Sequence, residues 1–166
     1  MSKNVSRAIS IGLAVLMIAF IGLQGLPYFY SEEGGVSIAG YLAFPTDHTA
    51  TTAYLESQVE GYNINSIVGG CILLQIVAIA LAILLLKFSG NAVVMGASGL
   101  WGLVGLVTYG FNAALGAGGG ARTIYMVLFV VALAAGVCGA ALSAVKLRAG
   151  QQQNAPESSE NLARQA

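Results

Sequence analysis

Four long stretches of this chain contain no Lys, Arg, Asp, Glu or His and consist almost entirely of apolar residues. They cover residues 8–26, 65–86, 92–111 and 123–145. An α-helix needs roughly 20 apolar residues to cross the hydrocarbon core of a bilayer, which is about 30 Å thick. The sequence therefore predicts an all-α integral membrane protein, built as a bundle of four transmembrane helices.

The scarcity of charge supports the same interpretation. Only 8% of the residues are charged and 57% are hydrophobic, whereas about a quarter of the residues in a soluble domain are charged. So few charges cannot cover a water-exposed surface, and we expect the lipid bilayer to surround the helices. The formal net charge is zero, which argues against nucleic acid as a partner.

The first apolar stretch has a basic start, because Lys3 and Arg7 precede it. Signal peptides begin in the same way. However, the stretch is long for a signal core and residues 22–27 form a poor cleavage site, so we interpret it as a retained span. Pro27 should end this helix because proline lacks a backbone N–H. The aromatic residues 28–30 then resemble an interfacial belt.

The longest polar segment, residues 27–64, lies between the first and second spans and carries most of the acidic residues. We predict that it is a structured extracytoplasmic loop. Apolar and polar residues alternate from residue 36, which favours an extended ribbon as far as residue 44. After Pro45, an oxygen-bearing side chain at Thr46 or Asp47 can cap a short amphipathic helix over residues 47–60.

Four residues of this loop are candidate cation ligands: Asp47, His48, Glu56 and Glu60. A zinc site needs further imidazole or thiolate ligands than the single histidine supplies. We therefore interpret Asp47 as a helix cap, and Glu56 with Glu60 as a solvated acidic face. The sequence has no zinc signature, no P-loop and no recognisable nucleophile–base arrangement. We expect no enzyme, no catalytic residue, no metal and no cofactor.

Two polar side chains fall near the middle of apolar stretches. Gln75 lies in the second stretch and Trp101 in the third, at similar depth if these helices run antiparallel. A mid-membrane amide is costly unless it has a partner, and a buried indole N–H usually finds an acceptor. We expect both side chains to face the bundle interior, either as a packing contact or as a midplane contact to a solute or another protein.

Small residues recur at regular spacing in the third and fourth stretches. They are Gly96, Gly99, Gly102 and Gly105 in the third, and Ala132, Gly136 and Ala140 in the fourth. Helices in lipid associate through close packing, which small residues permit. These two faces therefore predict either packing between helices or docking of a partner membrane protein.

The basic residues indicate the orientation of the chain. Those placed on one side of the membrane are Lys3, Arg7, Lys87, Lys146, Arg148 and Arg164, and only Arg122 falls on the other. Because basic flanks stay in the cytoplasm, we predict that residues 1–7, a tight turn at 87–91 and a disordered tail at 146–166 are cytoplasmic. The 27–64 loop and a Gly-rich loop at 112–122 then lie outside.

The outer loops contain no Asn-x-Ser/Thr sequon, which favours a prokaryotic cell membrane. Two functions remain open. The chain is either a non-catalytic accessory, assembly or regulatory subunit of a larger membrane complex such as a transporter, or a small homo-oligomeric carrier or channel. The second would pass a neutral or cationic solute past Gln75, beneath the acidic loop.

Overall fold

A computed structural model of the chain describes residues 3–31, 34–37, 53, 64–114 and 122–153. Its four long helices are α1 (Lys3–Gly22), α2 (Ile64–Lys87), α3 (Ala92–Ala114) and α4 (Arg122–Gln153). All four are long and apolar enough to cross a membrane. The prediction of four such helices is confirmed, and they are consistent with a multi-pass membrane protein.

The helices pack in a ring in chain order, and α4 returns to contact α1. Neighbours run antiparallel: along α3, Gly96 lies near Ala140 of α4 whereas Gly105 lies near Phe129. The contact between α3 and α4 is the most extensive. The bundle thus has a "basic end", formed by the start of α1, the turn between α2 and α3 and the last part of α4. The opposite end, where α1 stops and α2 starts, is called the "loop end".

The turn between α2 and α3, predicted at residues 87–91, is fixed by local chemistry at the basic end. Gly90 has a φ of +86°, a conformation that favours glycine, and its N–H donates to the Ser10 hydroxyl at 2.9 Å. The Asn91 side chain accepts hydrogen bonds from the N–H groups of Val93 and Val94. It therefore caps α3, satisfying donors that a helix start leaves free.

At the loop end, α1 stops at Gly22 and not at residue 26. It continues as a 3₁₀ turn over Leu23–Gly25, in which the Leu26 N–H donates to the Leu23 carbonyl at 2.9 Å. Two glycines and the following Pro27 weaken α-helix at this point. The tighter turn brings Gln24 into the bundle, where it is buried.

A two-stranded hairpin follows the 3₁₀ turn. Strand β1 (Pro27–Ser31) pairs antiparallel with β2 (Gly34–Ser37), with Phe29 opposite Val36 and an irregularity between Pro27 and Phe29. The aromatic residues read as an interfacial belt thus belong to a strand. The amphipathic helix expected over 47–60, with Asp47, His48, Glu56 and Glu60, lies outside the described residues.

The last helix continues past its predicted end at residue 145 as far as Gln153. Lys, Leu, Arg, Ala and Gln dominate this extension and are all good helix formers. The loss of apolar character marks where a membrane span would end, but it does not end the helix. The remaining tail, residues 154–166, lies outside the described residues.

The bundle is apolar both inside and outside. Its buried core is mostly Leu, Ala, Met and aromatic side chains. Its outer surface carries many large exposed aliphatic side chains, among them Ile18, Leu73, Val93, Leu100, Val107 and Val145. Water does not favour such a large continuous apolar surface, whereas a bilayer does.

Candidate functional site

Five aromatic side chains fill the centre of the bundle towards the loop end, and we call them the aromatic cluster. Phe20 lies in the middle, with its ring centroid 5.2 Å from that of Trp101 and 6.0 Å from those of Tyr109 and Tyr125. Phe129 completes it, 5.3 Å from Phe20. All five are at most 3% exposed. Edge-to-face and tilted pairs of this kind are worth about 0.5–1.5 kcal/mol each beyond the area they bury.

Trp101 also links α3 to α2. Its indole N–H donates to the backbone carbonyl of Leu74 at 2.9 Å, so the polar edge of a mid-helix tryptophan is satisfied by protein. Gln75, the next residue of α2, is half-buried and makes a different contact. The two residues singled out from the sequence thus lie at similar depth but do not bond to each other.

The partner of Gln75 is Gln24, which the sequence analysis did not single out. The Gln75 amide donates to Gln24 Oε1 at 3.1 Å, and the Tyr109 hydroxyl donates to the same oxygen at 3.4 Å. The Gln24 amide donates to the Phe20 carbonyl at 3.1 Å. A single side chain in the 3₁₀ turn therefore joins α1, α2 and α3, and we call Gln24, Gln75 and Tyr109 the glutamine network.

Two further contacts extend this network. The Tyr125 hydroxyl donates to the Leu23 carbonyl at 2.6 Å, so α4 is joined to the 3₁₀ turn at the end of α1. The thiol of Cys71, which is fully buried, lies next to the Tyr109 hydroxyl. All four helices thus contribute to one buried polar layer next to the aromatic cluster.

The side chains of this layer hold the four helices together through hydrogen bonds. Its side chains are amides, phenols and a buried thiol, with no carboxylate, imidazole or amine beside them among the described residues. In the part of the chain that the structure describes, no three His, Cys, Asp or Glu side chains are grouped in a way that would hold a metal.

The small residues of α3 and α4 face each other, and we call this contact the small-residue seam. A Cβ atom added at Gly102 would lie 2.7 Å from the backbone nitrogen of Leu133, and one at Gly99 would lie 3.3 Å from that of Val137. A Cβ at Gly136 would overlap the backbone of Gly99. Here the backbones of the two helices touch directly.

The other members of this predicted set lie along the same contact or in the core. A Cβ atom added at Gly96 would lie 3.7 Å from the Ala140 Cβ, and one at Gly105 would overlap the ring of Phe129. Ala132 is fully buried. These small faces are therefore occupied within one chain. A partner protein cannot use them without opening the bundle, so partner docking needs a different surface.

The contact between α2 and α3 is less extensive than the seam. An apolar groove of about 370 Å³ opens outward there, and we call it the α2–α3 groove. Gly70 and Ala97 keep it open, and Leu73, Leu100 and Val104 form its rims. Sequence periodicity gave no sign of this groove because α2 is apolar on every side.

Comparisons of the chain with protein-family models, with curated proteins and with solved structures found no match.

Proposed function

We propose that the four helices cross the cell membrane, with the basic end in the cytoplasm and the loop end outside. The apolar exterior of the bundle supports insertion, and the basic residues at one end support the orientation. Lys87, Lys146 and Arg148 lie at that end together with the start of α1. Arg122 lies at the other end, at the start of α4.

Within this membrane, the chain serves as a non-catalytic accessory, assembly or regulatory subunit of a larger complex such as a transporter. One observation carries this proposal: the aromatic cluster fills the centre of the bundle, and its rings are at most 3% exposed. In the described part of the chain, these rings occupy the axis along which a solute would have to pass. A protein whose interior is closed acts through its outer surface.

The α2–α3 groove is the surface best suited to receive a helix of the partner. Association inside a bilayer depends on shape and close packing, since lipid tails are as apolar as the protein. The groove combines small residues at its floor with exposed rims, Leu73 being 62% and Leu100 63% exposed. A knob-like side chain of a partner helix would fill it.

Two adjacent glycines of α2 provide a matched test. Gly70 lines the groove, and the nearest side-chain atom to a Cβ there would be Thr108 Cγ2 at 3.8 Å. Gly69 faces open space, with nothing within 4 Å. Gly70→Leu should fill the groove and abolish copurification of a larger partner, whereas Gly69→Leu should leave it intact. Affinity purification followed by mass spectrometry measures both.

The same purification separates the competing interpretations. Loss of the partner in both variants would mean that the groove is not the docking site. Copurification of nothing except further copies of this chain would overturn the accessory role and favour the homo-oligomeric carrier. A photo-crosslinker at Leu100 should capture the partner, and one at Val15 of α1, which is 59% exposed on a different helix, should not.

A further inference from the structure

A cavity of about 680 Å³, with both polar and apolar lining residues, opens at the basic end, between the start of α1, the turn before α3 and the last part of α4. We call it the basic-end cavity. Its polar lining consists of hydroxyl, amide and basic side chains, chiefly Asn4, Ser6, Arg7, Asn91, Ser143 and Lys146. The glutamine network and the aromatic cluster lie at the other end of the bundle and take no part in it.

The charge of this cavity is positive. Arg7 and Lys146 both line it, and none of the described residues around it is acidic. The first residues of α3, Ala92 and Val93, also line it, and the start of a helix carries a partial positive charge. Guanidinium, ammonium and hydroxyl donors together suit the oxygens of a phosphate group.

The wall formed by α1 and α4 is held in place by internal hydrogen bonds. The Lys146 ammonium donates to the Ser6 hydroxyl at 3.0 Å, and the Ser143 hydroxyl lies 3.5 Å from the same oxygen. Ser6 and Ser143 are each only 5% exposed. A basic group positioned by buried hydroxyls is a more defined binding element than a lysine on an open surface.

A second opening adjoins this wall on the outside of the bundle. This α1–α4 groove has a volume of about 310 Å³ and shares Ser6 and Lys146 with the basic-end cavity. Its remaining lining is apolar, from residues such as Val5, Ala141 and Val145. A cavity lined by basic side chains thus lies next to an apolar groove on the face that would meet lipid, and Ser6 and Lys146 border both.

We propose that the basic end binds an anionic phospholipid, with its phosphate-bearing headgroup in the basic-end cavity and an acyl chain in the α1–α4 groove. Basic pockets between helices on the cytoplasmic side of a membrane suit such headgroups. A free phosphate would occupy the cavity but has no use for the groove. The site requires that the bundle cross a bilayer, as proposed above, and is independent of any protein partner.

The headgroup half of the site is tested with the full chain in detergent, titrated with phosphatidylglycerol and observed by native mass spectrometry. Lys146→Gln and Arg7→Gln should each weaken binding roughly fivefold, the equivalent of about 1 kcal/mol for one basic group. Lys146→Arg should retain binding. Arg148→Gln is the matched control, because Arg148 lies on the same helix but lines neither opening.

The acyl-chain half is tested by filling the groove. Ala141→Phe should weaken phosphatidylglycerol binding, while Ala134→Phe, an exposed position of α4 outside the groove, should not. Equal losses in Arg148→Gln and Lys146→Gln would overturn the proposal in favour of diffuse surface charge. Equal binding of phosphatidylcholine would overturn it as well, and so would inorganic phosphate that binds as tightly as phosphatidylglycerol, since the groove would then contribute nothing.

One measurement separates this site from the proposed membrane location. The wild-type chain and every variant are first assayed for insertion by carbonate-resistant recovery in the membrane fraction. An inserted wild-type chain that binds no phosphatidylglycerol would refute the lipid site alone. A chain that fails to insert would refute both the site and the membrane location.

Discussion

Gln24 shows how much one side chain can organise. Its amide group makes three hydrogen bonds, donating to Phe20 and accepting from Gln75 and Tyr109. The contact to Phe20 secures the end of α1, and the other two secure α2 and α3. Because a buried polar group without a partner costs about 1–3 kcal/mol, removal of this acceptor affects three helices together.

Gln24→Leu should therefore lower the free energy of unfolding, since the amide of Gln75 and the hydroxyl of Tyr109 lose their shared acceptor. Gln75→Leu should cost less, because Gln75 is only half-buried. In the double variant the two losses should not add, and the coupling energy should be about 0.6 kcal/mol with an upper bound near 1.7. Unfolding titrations in SDS with a mild detergent measure all four proteins of this cycle.

Strict additivity of the two losses would show that the hydrogen bond contributes nothing. Ser98 provides a control at the residue scale. Its hydroxyl donates to the Val94 carbonyl one turn earlier in the same helix, at 2.9 Å. Ser98→Ala therefore removes a local contact, and it should show no coupling to Gln24→Leu.

The sequence pointed to Gln75 and Trp101 because an N–H group at mid-membrane depth costs free energy unless it has a hydrogen-bond acceptor. It did not point to Gln24, which lies near the predicted end of its own span. In the structure, Gln24 at the end of α1 is hydrogen-bonded to Gln75 in the middle of α2. Relative to α2, α1 is therefore shifted along the bundle axis towards the basic end. Axial offsets between helices depend on packing of side chains distant in sequence, and composition carries no information on them.

At the scale of elements, the small-residue seam is the contact most sensitive to volume. Glycine within a helix normally costs about 1 kcal/mol relative to alanine. Along α3 and α4 this cost is offset by direct approach of the two backbones. Regular glycine spacing predicted a contact of this kind, but spacing alone could not distinguish an internal contact from a partner contact.

Gly136→Ala should destabilise the bundle, because its Cβ would overlap the Gly99 backbone and lie 2.8 Å from the Met95 carbonyl oxygen. Overpacking costs about 1–3 kcal/mol where backbone has to move. Gly12→Ala is the matched control: Gly12 lies within α1 with nothing within 4 Å, so it should gain up to about 1 kcal/mol from helix propensity. Opposite signs in detergent unfolding titrations are the expected result, and a stabilising Gly136→Ala would contradict the seam.

The number of long helices could be predicted from the sequence, because an uncharged apolar run of that length has few alternative structures. The residues at which these helices end could not be predicted. The last helix continues to Gln153. The residues after 145 are no longer apolar, but most of them still favour a helix. The sequence did not predict the hairpin of β1 (Pro27–Ser31) and β2 (Gly34–Ser37). Neither short segment shows the strong alternation of apolar and polar residues that indicates a strand.

At the scale of the whole molecule, the bundle is polar at its ends in two different ways. The loop end has a neutral buried network of amides and phenols, whereas the basic end has ammonium, guanidinium and hydroxyl groups around a cavity. Positive charge stays on the cytoplasmic side during insertion. In the proposed orientation, this difference between the ends places the lipid site on the cytoplasmic side.

Cysteines introduced one at a time at the two ends test this orientation. Ser89 is exposed in the turn at the basic end, and Thr123 is exposed at the loop end of α4. The background is Cys138→Ala, since Cys138 is exposed and Cys71 is fully buried. In intact cells a membrane-impermeant maleimide should label Thr123→Cys and spare Ser89→Cys, because only the loop end faces outward. After lysis both should be labelled, and labelling of Ser89→Cys alone in intact cells would invert the topology.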